Sequence, residues 1–212
     1  MRDLASAIDQ REGGFLFDII KNDAGVTKTL EVGCALGLSS LHICWALRGR
    51  PGAKHVIIDP FQYETWHGLG VQHLQEAGVD FYELIQVKSE FALPRILEGN
   101  EGQFDFVFID GWHTFDHTLL GCFYATRLLR VGGYLVIDDV TMPAVRDVVS
   151  FVKAYPCYEQ HGWVGHEGVT PSWKGKLAKR LGLPNSERPA IVQMVALKKI
   201  AEDARDWDWH TA

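Results

Sequence analysis

Six residues of this chain stand where apolar segments run out into loops: Glu31, Asp59, Ser89, Asp110, Asp138 and Asp139. All but Ser89 are acids, and four of them directly follow Leu30, Ile58, Ile109 and Ile137. Acids that merely decorated a surface would fall at either end of such segments, so this pattern selects one edge of a sheet. A carboxylate after a second strand can accept both hydroxyls of a ribose. Asp59 suits that role, although before Pro60 it reads equally well as a turn former. Asp110 and the pair Asp138-Asp139 end segments that would be neighbours about 4.8 Å apart. Buried carboxylates at that distance repel and raise one another's pKa, and a divalent cation is the natural compensation. Oxygen ligands alone favour magnesium, manganese or calcium over zinc. Without a cation, Asp139 starts a turn, Asp138 caps the next helix and Asp110 alone is functional.

The first acid opens the run Glu31-Val32-Gly33-Cys34-Ala35-Leu36-Gly37-Leu38-Ser39, in which a strand turns through two glycines into a helix over 38–49. Glycine serves where backbone approaches a ligand closely or takes positive φ, and the first N–H groups of the helix then face whatever binds. The spacing lacks the middle glycine that a dinucleotide pyrophosphate requires. A nucleoside fits this turn better than a dinucleotide. His113, three residues after Asp110, has an ordinary pKa of about 6.5 and can accept a proton near neutrality. It can equally cap the following helix or orient Asp110. His117 lies one helical turn further on the same side, while His42, His55 and His73 have ordinary core or surface explanations.

The elements that must position these residues alternate. Strands are expected at 27–32, 54–59, 82–87, 104–110 and 133–139, with helices between them, a further helix at 143–154, an apolar stretch at 157–164 and a last strand at 190–198. Runs such as His55-Val56-Ile57-Ile58 are almost continuously apolar, as in strands covered on both faces. The pattern is that of a doubly wound α/β fold. At 212 residues and 47% hydrophobic, the chain suits one domain with a large core. A net charge of −6 and a pI near 5.8 argue against a nucleic-acid partner. Cys34, Cys44, Cys122 and Cys157 form no C-x-x-C pair and read as buried thiols of a reducing cytosol. With no signal peptide and no apolar run near ~20 residues, no membrane is expected and the location expected is cytoplasmic. Residues 1–25 form a helical lead-in, and 160–189 an insertion longer than a hairpin needs. Within that insertion, Trp173, Leu177 and Leu181 recur at helical spacing among Lys174, Lys176, Lys179 and Arg180. That run is read as a packed helix with a solvated face, or else as a substrate lid, an anionic-substrate contact or a subunit contact. Tyr63, Trp66, His67 and Trp163 could wall a pocket or belong to the core.

Taken together, Glu31-Val32-Gly33-x-x-x-Gly37, Ile58-Asp59-Pro60, the run Phe104 to His113 and the run Gly132 to Val140 resemble a class I S-adenosylmethionine-dependent methyltransferase. The group it is most similar to is the small bacterial O-methyltransferases related to catechol O-methyltransferase, over about residues 10–155, including Glu12-Gly13-Gly14-Phe15-Leu16 in the opening helix. The resemblance implies a Rossmann-like, seven-stranded, mostly parallel sheet with an antiparallel last strand and helices on both faces, all within a single methyltransferase domain over 1–212. It implies that Glu31, Gly33, Gly37 and Ser39 surround the methionine part of S-adenosylmethionine, that Asp59 holds the ribose, and that Ser89 and Trp112 meet adenine. Asp110, which also borders the cofactor, would bind magnesium with Asp138 and Asp139. His113 stands where catechol-type members carry a proton-accepting lysine, which makes His113 and Asp110 the expected catalytic pair. The expected reaction is O-methylation of a small-molecule hydroxyl, and a homodimer would be unsurprising. The rivals are a metal-independent N-methyltransferase and a non-catalytic, cofactor-binding regulatory subunit.

Overall fold

The computed structural model describes residues 8–166 and 191–209. The chain runs α1 (Gln10–Asn22), β1 (Lys28–Val32), α2 (Leu38–Leu47), β2 (Lys54–Ile58), α3 (Leu69–Glu76), β3 (Tyr82–Ile85), α4 (Ser89–Leu97), β4 (Phe104–Ile109), α5 (Phe115–Leu128), β5 (Leu129–Ile137), α6 (Pro143–Val152), β6 (Tyr158–His166) and β7 (Ile191–Lys199). The strands form one sheet in the order β3-β2-β1-β4-β5-β7-β6. The pairs from β3 to β5 are parallel, and β7 lies antiparallel between β5 and β6.

β4 explains the layering. All six of its residues are buried, and Phe106, Val107, Phe108 and Ile109 point alternately into two hydrophobic clusters. One cluster gathers residues of α4, α5 and α6, the other those of α1 and α2. A strand buried on both faces is expected to be almost wholly apolar, and this one is, apart from Asp105 near its start. At the opposite edge of the sheet from the loops of interest, Asp105 accepts from the amides of Thr27 and Lys28, both at 2.8 Å, and from Arg130 Nε at 2.6 Å. That carboxylate pins the starts of β1, β4 and β5 together.

The expected elements that fall on described residues are there, with shifted limits. β5 begins at Leu129 rather than 133, because the chain passes Gly132 at φ +89° and shifts register against β4 between Phe104 and Phe106. Two adjacent glycines read as the start of a strand here mark a bulge inside one. β3 stops at Ile85, short of 87, and α6 stops at Val152, short of 154. α1 has a reciprocal cap: Asp9 accepts from the Arg11 and Glu12 amides, and Glu12 accepts from the Asp9 amide. Among the described residues, no helix is long and apolar enough to cross a membrane. The basic run from Ser172 to Leu181, with the rest of the expected insertion from 167 to 189, lies outside the described residues, while 160–166 belongs to β6.

Candidate functional site

Strand order reverses between β1 and β4, where an open α/β sheet forms its ligand crevice. The loops leave that edge in step, because the first residue after each strand donates to the last residue of its neighbour. Asp59 N bonds Ile85 O (3.1 Å), Gly33 N bonds Ile58 O (2.9 Å), Asp110 N bonds Val32 O (2.9 Å) and Asp138 N bonds Ile109 O (3.1 Å). The acids read from the sequence are thereby set along one edge, and above them opens a cavity of about 660 Å³. Gly33, Asp59, Ser89, Asp110, Trp112 and His113 all line it, as do Asp138 and Asp139.

The glycine turn is held from beneath. Gly33 has φ +92°, and a Cβ built there would lie 2.0 Å from the Asp110 carbonyl oxygen, so only glycine lets the turn sit against that loop. Gly37, at φ +78°, begins α2. Glu31 and Ser39, expected beside the cofactor, bond to each other instead: the fully buried Glu31 carboxylate accepts from the hydroxyls of Ser39 and Ser40, and His55 Nε2 lies 3.0 Å from it. His55 Nδ1 in turn meets Thr29 Oγ1 at 2.8 Å. Glu31 therefore anchors the first turn of α2 to β1 and β2, and neither it nor Ser39 lines the cavity. Asp59 does line it. Its Oδ2 accepts from the amides of Cys34 (3.2 Å) and Ala35 (2.9 Å) and from Gln62 Nε2 (3.2 Å), whereas Oδ1 accepts only from the Phe61 amide (2.9 Å). Oδ1 is the freer oxygen to meet a diol.

At the other side of the crevice, Asp110, His113 and Asp139 each bring a ligand atom within 4.8 Å of the others. His113 Nε2 is 3.0 Å from Asp139 Oδ2 and 3.4 Å from Asp110 Oδ1. Hydrogen bonds to Asp110 and then Asp139 push the His113 pKa up to about 10, and its hydrogen bond holds Asp139 below the usual carboxylate range. Those two carboxylates favour the protonated form of His113, which is freer to lose its proton once their charge is otherwise balanced. Burial, and then the neighbouring Asp139 charge, raises Asp110 against the pull of His113. Asp138 is 5% exposed and is raised further, by burial first and the Asp110 charge second. Its Oδ1 accepts from the Asp139 amide at 2.7 Å. Asp139 sits at φ +54°, a conformation that costs a non-glycine residue about 1–3 kcal/mol, and Gln193 Nε2 donates to its Oδ1 at 3.0 Å. Three carboxylates raising or repelling one another beside an imidazole form a donor set that fits a divalent cation.

Ser89 is the first residue of α4 and Trp112 is 60% exposed at the cavity, its ring tilted 56° to that of His117. His117 Nδ1 bonds Thr114 Oγ1 at 2.8 Å, so it braces the start of α5. Trp66 lines the cavity; Tyr63, His67 and Trp163 do not. Sequence reasoning missed the contributions of Ile8, Glu12, Met142 and Gln193 to the walls. Glu12 carried a signal, the Asp9-x-x-Glu12 capping pattern that fixes where α1 starts. Gln193 carried none, because its position depends on β7 returning beside β5.

The chain matches the family model described as a methyltransferase domain over residues 30–140. It is similar to catechol O-methyltransferase B of Danio rerio, 32% identical over 171 residues, which cover 77% of this chain and 61% of that protein. It is also similar to a probable caffeoyl-CoA O-methyltransferase of Dictyostelium discoideum, 31% identical over 144 residues, or 63% of this chain and 56% of that protein. The chain thus spans about three fifths of the length of these curated relatives. In fold it is similar to the crystal structure of cofactor-bound Rv0187 from MTB, with a TM-score of 0.68 and 20% identity over 92% of this chain and 82% of that one.

Proposed function

We propose, on the premise that this chain belongs to the methyltransferase-domain family whose model it matches over residues 30–140, that it transfers a methyl group from S-adenosylmethionine to a hydroxyl oxygen of a small molecule. One observation carries this: the glycine turn and the Asp110, Asp138 and Asp139 cluster open into the same cavity of about 660 Å³, large enough for a nucleoside cofactor beside a small acceptor. The names of its relatives, catechol and caffeoyl-CoA O-methyltransferases, point to oxygen as the centre methylated.

Bound S-adenosylmethionine would supply an electrophilic methyl on a sulfonium, and the protein need form no covalent bond to either partner. What the chain contributes is position and charge. Gly33 lets backbone close on the ligand, Asp59 offers Oδ1 to the ribose, and Ser89 and Trp112 border the adenine end. A divalent cation held by the acids would lower the pKa of an acceptor hydroxyl and template its approach. Asp110 and Asp139 both lie beside His113, so a hydroxyl proton released at the cluster has a carboxylate beside it.

The first test is titration of the purified protein with S-adenosylhomocysteine by isothermal titration calorimetry. Micromolar binding is expected, followed by methylation of vicinal-diol acceptors that EDTA suppresses and a divalent ion restores. Folded protein that binds no S-adenosylhomocysteine would remove the methyl-transfer function.

A further inference from the structure

An all-oxygen set of acids would suit magnesium, but the atoms that converge in this fold include a nitrogen. Among the described residues the convergent group is Asp110, His113 and Asp139, with one ligand atom of each within 4.8 Å of the others. Cis ligands of an octahedral ion with bonds near 2.1 Å lie about 3.0 Å apart. His113 Nε2 is 3.0 Å from Asp139 Oδ2 and 3.4 Å from Asp110 Oδ1, so a small ion needs little movement of these side chains. The other oxygen of Asp139 is held by Gln193 Nε2, the outer support that ligating carboxylates have. Asp138, 5% exposed, lines the same cavity, and its Oδ1 accepts from the Asp139 amide.

We propose that His113 Nε2 is a metal ligand alongside Asp110 and Asp139, and that the site therefore selects a divalent first-row transition ion over magnesium. This rests on the reading of the acid cluster as a cation site. Imidazole nitrogen binds borderline transition ions well, whereas magnesium demands oxygen and keeps its water. Affinity should rise from Mg²⁺ to Mn²⁺ to Co²⁺, following the general order for such donors. His113 then works by holding the ion, and its Nε2 lone pair is not free to take the acceptor's proton.

The test uses the whole chain, stripped with EDTA and dialysed, with the ions alone as probes. Competition titrations should give Mn²⁺ at least about tenfold tighter binding than Mg²⁺, and Co²⁺ tighter again. Electron spin-echo modulation of bound Mn²⁺ should show a coupled ¹⁴N nucleus, a readout independent of turnover. In His113→Gln the ¹⁴N modulation should vanish and the Mn²⁺ preference collapse to within a few-fold, with S-adenosylhomocysteine binding retained. Ion binding by the unmodified chain without ¹⁴N coupling, or equal affinity for Mg²⁺ and Mn²⁺, overturns the proposal while leaving a cation site. No ion binding at all, with S-adenosylhomocysteine still bound, overturns the proposal and the cation site together but leaves the cofactor pocket. Because the spectrum is taken on the unmodified chain, the outcome does not depend on the variant folding.

Discussion

Replacing Gly33 by alanine should damage both the fold and the cofactor pocket, and the size of the effect can be worked out. The residue sits at φ +92°, which costs a side-chain-bearing residue about 1–3 kcal/mol. The added Cβ would also lie 2.0 Å from the Asp110 carbonyl oxygen and 2.7 Å from its carbon, where real contacts stay beyond 3.0 Å. Backbone on one side must give by about 1 Å, an overpacking cost of roughly 1–3 kcal/mol. The sum, about 2–6 kcal/mol, is a large share of a typical domain's 5–15 kcal/mol. Gly49→Ala separates the two contributions, since Gly49 has φ +79° and open space around its Cβ position. Urea unfolding should therefore show Gly33→Ala less stable than Gly49→Ala by about 1–3 kcal/mol. Calorimetry should show S-adenosylhomocysteine affinity at least about tenfold weaker in Gly33→Ala, equivalent to about 1.4 kcal/mol, and unchanged in Gly49→Ala. Equal stability and equal affinity in the two variants would refute the idea that Gly33 is required for the turn to close against Asp110.

Three further outcomes are expected. Burial opposes ionisation of Asp105, but the Lys28 amide, the Arg130 side chain and the Thr27 amide together hold its pKa below the ordinary value. A depressed folded pKa means that this stabilisation is present above the unfolded value of about 3.9 and is lost as pH falls through the folded one. Asp105→Asn should thus lower stability at pH 7 by about 1–3 kcal/mol and flatten the acid limb of a stability-pH curve; an unchanged limb would count against it. His55→Ala removes a partner from both Glu31 and Thr29 and should cost about 1–3 kcal/mol in urea unfolding, with S-adenosylhomocysteine affinity falling as α2 loosens. Gln193→Leu frees Asp139 Oδ1 and should weaken Mn²⁺ binding about 10–100-fold in the same titrations, without altering S-adenosylhomocysteine affinity.

The central strands and the edge that bears the site were legible because burial on both faces demands continuous apolar runs. The acids after Ile58, Ile109 and Ile137 could be placed together from that alone. Glu31 was legible as to place but not as to use: it sits at the foot of the glycine turn, yet Ser39, Ser40 and His55 fill its lone pairs. Nothing local distinguishes a carboxylate that faces a cavity from one that faces two serines on the next helix. Asp138 and Asp139 likewise look interchangeable in sequence, but the positive φ of Asp139 turns its side chain towards His113 and leaves Asp138 behind. The contribution of Gln193 depends on β7 pairing with β5, which brings Gln193 to Asp139, 54 positions away, and no short-range pattern encodes that.

That pairing also sets an order of completion during synthesis. Among the described residues, β6 pairs with the sheet only through β7, which inserts between it and β5. Until β7 is added, the parallel half has β5 as its border and β6 has no strand beside it. When β7 docks, Val140 N finds Gln193 O at 2.9 Å and Gln193 reaches Asp139 in the same event. The crevice beside β1, β2 and β4 can thus be in place before Gln193 aims Asp139, the last of its acids.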